Sequence, residues 1–128
     1  MAETNLIAAW IGFMGGFLAG ALPGLFFHLP DWLGGYASWE RRLIRLAHIS
    51  FFGIGFINLA FALTVARLDV PEGPALFWSS RLLLLGAVSM PAVCYLSAFR
   101  KSFRHLFFLP VTSLLAGAGL FIMTSVLP

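Results

Sequence analysis

Charge is scarce in this sequence. Only 10% of its 128 residues are Asp, Glu, Lys or Arg, where a soluble domain carries about 25%. Hydrophobic residues make up 60%. A chain of this length can build one core, but one core cannot hide so much apolar surface from water. Cysteine is nearly missing too. Cys94 stands alone, which excludes an intrachain disulfide and a Cys-x-x-Cys-His covalent haem attachment and leaves the redox compartment open. No lipidation motif is present.

The missing motifs narrow the function further. The five Asp and Glu residues form no acid–base pair inside an apolar segment. There is no H-E-x-x-H motif, no phosphate-binding glycine loop and no nucleophile–base–acid set. A redox or accessory subunit is expected rather than a stand-alone enzyme. The eight Lys and Arg residues form no tract long enough to follow a nucleic-acid groove, so no nucleic-acid partner is expected. Short alternating segments, the mark of a β-barrel, are absent. The start, MAETNLIAAW, carries Glu3 and no basic n-region, so the first apolar run reads as a retained helix rather than a signal peptide.

Four long apolar runs are what the sequence does have. Residues 4–30, 46–66, 82–99 and 105–128 contain no Asp, Glu, Lys or Arg, and the third extends back to Pro74 if Arg81 snorkels to the interface. A helix needs about 20 residues to cross roughly 30 Å of hydrocarbon. The expected fold is an all-α, integral membrane four-helix bundle, a single transmembrane domain over 1–128 with spans 6–28, 46–67, 75–99 and 105–126. Arg41, Arg42, Arg45, Arg100, Lys101 and Arg104, less Asp31 and Glu40, give the first and third loops a net charge of +4. Arg67 and Arg81, less Glu3, Asp69 and Glu72, give the other side −1. The positive-inside rule then puts both termini on the non-cytoplasmic side, the periplasmic side if the membrane is a bacterial inner membrane. Trp32, Tyr36 and Trp39 suit the headgroup region.

The first run places Gly12, Gly16, Gly20 and Gly24 at strict spacing of four, on one helix stripe. Such a stripe lets another backbone come close, or walls a flat cofactor or quinone. Pro23 is a candidate kink. In the second run, Arg41, Arg45, His48, Gly55 and Ala62 fall near one face. Asn58 lies deep, where an unpaired amide is costly, so it is expected to bond across to another helix. Gly86, Met90 and Cys94 share a stripe of the third run and read as core.

All three histidines fall at one expected membrane side: His28 closes the first span, His48 opens the second and His105 opens the fourth. Two imidazoles above and below a porphyrin make a b-type haem site. The expected iron ligands are His48 and His105, with His28 as an alternative, and Arg45, Arg104 and Arg41 as propionate partners. Histidine also sits comfortably at a membrane interface without binding anything. Two functions follow. One is a small electron-transfer subunit that binds haem b or borders a quinone site. The other is a cofactor-free accessory subunit of a larger membrane complex. The bilayer and other membrane subunits are expected partners in both, with a quinone or an electron-transfer protein added in the first.

Overall fold

Each apolar run becomes a helix, and each helix ends where local chemistry stops it. The computed structural model describes residues 1–126; Leu127 and Pro128, the end of the expected domain, lie outside the described residues. Helix α1 spans Ala2–Gly24, α2 Trp39–Leu68, α3 Pro74–Phe99 and α4 Phe108–Phe121. Helix α4 is flanked by a 3₁₀ segment, Lys101–Phe107, and a π turn, Ile122–Val126. All four helical units are long and apolar enough to cross a membrane, the last counted as Lys101–Ser125. This is a small all-α, four-span membrane protein.

The helix limits differ from the hydropathy limits for local reasons. Helix α1 stops one residue after Pro23, so that proline sits in its last turn, and residues 25–29 continue as tight turns. Helix α2 starts well before its apolar stretch because Ser38 caps it, its Oγ accepting from the Arg41 backbone N–H at 3.2 Å. It stops at Asp69, which adopts a left-handed conformation (φ 48°) tolerated by Asp. Helix α3 begins with Pro74 at its first position, where a missing N–H costs nothing. Pro110 falls in the first turn of α4, again where no N–H is needed.

Helix α2 packs on α1 and α3, α3 packs on α4, and α1 also touches α3. The N-terminal amine lies 3.9 Å from Glu72 in the α2–α3 loop. Phe121 of α4 stacks obliquely on Phe61 of α2, with ring centroids 4.7 Å apart, and Met1 and Val70 pack on the same cluster. The N-terminus, the α2–α3 loop and the end of α4 therefore share one end of the bundle. The arginine-bearing loops share the other, where Leu43, Ile44 and Ala98 form a second cluster. Helices α3 and α4 meet through exchanged small residues: Leu114 fills the space beside Gly86, and Leu82 and Leu83 the space beside Gly117. Cys94 is fully buried in α3.

Candidate functional site

Three buried polar side chains join three helices. Asn5 on α1 donates through Nδ2 to Asn58 Oδ1 on α2 at 2.8 Å, and Ser80 on α3 donates to Asn5 Oδ1 at 2.5 Å. Asn58 Nδ2 then donates to the Ile54 carbonyl at 3.0 Å. Each side chain is paired and buried within the protein, and each such bond in a membrane bundle contributes about 0.6 kcal/mol, up to about 1.7. Nothing in the spacing of Asn5 or Ser80 announces this role, since a polar residue near a helix end reads as interfacial.

The glycine stripe meets α2. A Cβ on Gly12 would lie 3.2 Å from the Phe51 carbonyl oxygen, and one on Gly20 would lie 2.5 Å from the His48 ring. Gly16 faces the ring of Phe52, while Gly24 has open space around it. The absence of side chains is what lets the His48 imidazole lie flat against α1. His48 Nδ1 sits 2.9 Å from the Gly16 carbonyl oxygen, and that oxygen only accepts, so Nδ1 carries the proton and donates. Phe52 meets the ring edge to face at 5.3 Å. Nε2 is left free.

Around His48 lies a cavity of about 500 Å³ between the end of α1, the first loop and the start of α2. Arg41 and Arg45 line it with His48, and Phe27, Trp32 and Tyr36 form its aromatic rim. The Arg41 guanidinium is enclosed by those three rings, 5.8, 5.5 and 5.9 Å from their centroids, and donates to the Pro30 carbonyl at 3.3 Å. Arg45 lies 4.2 Å from the Tyr36 centroid and donates to the Tyr36 carbonyl at 3.1 Å. The loop can turn back over α2 because Gly34 and Gly35 adopt positive φ (80° and 89°). This cavity brings cationic, aromatic and imidazole groups together.

The other expected ligands lie elsewhere. His28 is exposed in the turns after α1, and His105 is exposed in the 3₁₀ segment, which packs on α3 and α4. His105 and its neighbour Arg104, also exposed, do not line the His48 cavity. Among the described residues, no three His, Cys, Asp or Glu side chains come together as a metal-binding group. A second cavity, of about 470 Å³, opens mid-bundle between α1 and α3 over a floor of Ile54 and Gly55, and its lining is nearly all apolar.

No family model matches this chain, and no curated protein or solved structure matches it either.

Proposed function

We propose that this chain is a cofactor-free accessory subunit of a larger membrane assembly, placed in a bacterial inner membrane. The observation that carries this reading is the Asn5–Asn58–Ser80 network. Those three buried side chains hold three helices together, and the His48–Gly16 and Trp39–Ser97 bonds add further ties between helices. The outward faces of α1, α4 and the π turn, with Trp10, Met14, Phe17, Leu115 and Met123 exposed, offer broad apolar area to lipid and to neighbouring spans.

The test is gentle solubilisation followed by mass determination and crosslinking of the native particle. A stable particle with other membrane subunits in fixed stoichiometry is expected. A monodisperse homogeneous chain that carries stoichiometric haem overturns the reading.

Electron transfer is the second reading, favoured by the convergence of His48, Arg41 and Arg45 on one cavity. Haem b with His48 as one iron ligand would take its other imidazole from a partner chain, because His105 lies outside the cavity. A quinone would sit against the same aromatic rim. Reduced-minus-oxidised visible spectra decide it. A b-type Soret and α-band altered by His48→Ala supports the redox role, and a spectrum without haem bands removes the haem form of it.

A further inference from the structure

Arg41 is only 7% exposed, yet it has no carboxylate within 4 Å among the described residues. A guanidinium carries five N–H donors. The bond seen from it is the 3.3 Å contact with the Pro30 carbonyl. Three aromatic faces attract the cation without satisfying the remaining N–H groups. Those nitrogens are not sealed away. Among the described residues the buried side-chain polar atoms without partners are the Ser79 and Ser97 hydroxyls, and Arg41 opens onto the cavity that it lines.

One turn further along α2, Arg45 lines the same cavity, also without a carboxylate partner among the described residues. Two guanidiniums lining one space offer an anion more than one N–H donor. Withdrawing Arg41 from water costs free energy that a bound anion offsets. The remainder of the lining is apolar: Ala19, Gly20, Pro23, Ile44 and Ile49. A ligand that satisfies both halves is an anion with a hydrocarbon continuation.

The position selects the source. The cavity lies where the apolar span of α2 gives way to its basic first turns, at headgroup level. We infer that it binds the phosphate of an anionic glycerophospholipid, with Arg41 and Arg45 on the phosphate oxygens and an acyl chain over Ala19 and Ile49. His48 adds selectivity. With Nδ1–H committed to the Gly16 carbonyl, its Nε2 accepts a hydrogen bond from a headgroup hydroxyl. A free phosphate makes no use of the apolar half. A zwitterionic lipid brings a second cation to a site already doubly positive. The site works the same way whether the chain acts alone or within an assembly.

The experiment uses the full chain, delipidated in neutral detergent. Thermal unfolding and native mass spectrometry are followed with phosphatidylglycerol, phosphatidylcholine or inorganic phosphate added. Phosphatidylglycerol is expected to bind one to one and to raise Tm, with at least tenfold weaker binding of phosphatidylcholine. Arg45→Gln is expected to weaken phosphatidylglycerol at least tenfold, and Lys101→Gln, a charge change on the exposed 3₁₀ segment, to leave it unchanged. Arg41→Gln is expected to match Arg45→Gln; if it unfolds through loss of the Pro30 contact, Arg45→Gln carries the test. Native affinity in Arg45→Gln, equal weakening in Lys101→Gln, or equal binding of phosphatidylcholine overturns the assignment. A full Tm shift from inorganic phosphate alone assigns the site to a free anion and overturns the lipid.

Discussion

Asn5 donates its side-chain amide to Asn58 across 2.8 Å, and both residues are fully withdrawn from the surface. Ser80 completes the contact from a third helix. Removing one partner leaves another buried polar group unpaired, which is worse than removing the bond itself. Asn58→Ala is therefore expected to destabilise the bundle by about 1–2 kcal/mol. Unfolding by denaturing detergent measures it. A double-mutant cycle with Asn5→Ala should show strong coupling, and additive losses would mean that the two amides act independently.

Gly20 and Gly24 belong to one sequence stripe but sit in different surroundings. A Cβ at Gly20 collides with His48, so Gly20→Ala is expected to cost roughly 1–3 kcal/mol. Gly24→Ala meets open space and is expected to be neutral or slightly stabilising. Comparing the two melting curves separates close packing from a general effect of glycine loss.

Trp39 Nε1 donates to the Ser97 carbonyl at 2.7 Å and ties the start of α2 to the end of α3. Trp39→Phe keeps most of the ring and removes the donor. A loss of about 1 kcal/mol is expected, read from the same unfolding assay. An unchanged midpoint would show that the carbonyl finds water instead.

The basic loops predict an orientation that labelling can read directly. Glu72→Cys in the α2–α3 loop is expected to react with a membrane-impermeant maleimide in spheroplasts, and Ser102→Cys only after permeabilisation. Both positions are exposed. The reverse pattern would place the termini in the cytoplasm.

Four spans were legible because hydrocarbon thickness and charge scarcity leave few alternatives for residues 4–30 or 46–66. Helix ends were less so. Charge marks where a helix leaves the hydrocarbon, not where it stops, so α2 runs back through Arg45 and Arg41 to its Ser38 cap. Which faces meet was the least legible. In water, apolar residues turn inward and the stripe reports the core; in lipid, both sides of a helix are apolar and that signal fades. The shared membrane side of His48 and His105 could be read from the order of spans. Their separation could not, because it depends on α4 packing on α3 and on a 3₁₀ segment displacing His105 from the helix proper. Arg41 and Arg45 were visible as a helix face, but the loop folding back to enclose Arg41 rests on Gly34, Gly35 and contacts from Phe27, Trp32 and Tyr36.

The complete seclusion of Cys94 has a practical outcome. A thiol dye supplied to the folded chain finds nothing to modify, so the natural sequence is already a silent background for engineered surface thiols. Once heat or harsh detergent parts the helices around α3, colour develops at the speed of that opening. The chain carries its own stopwatch for coming apart.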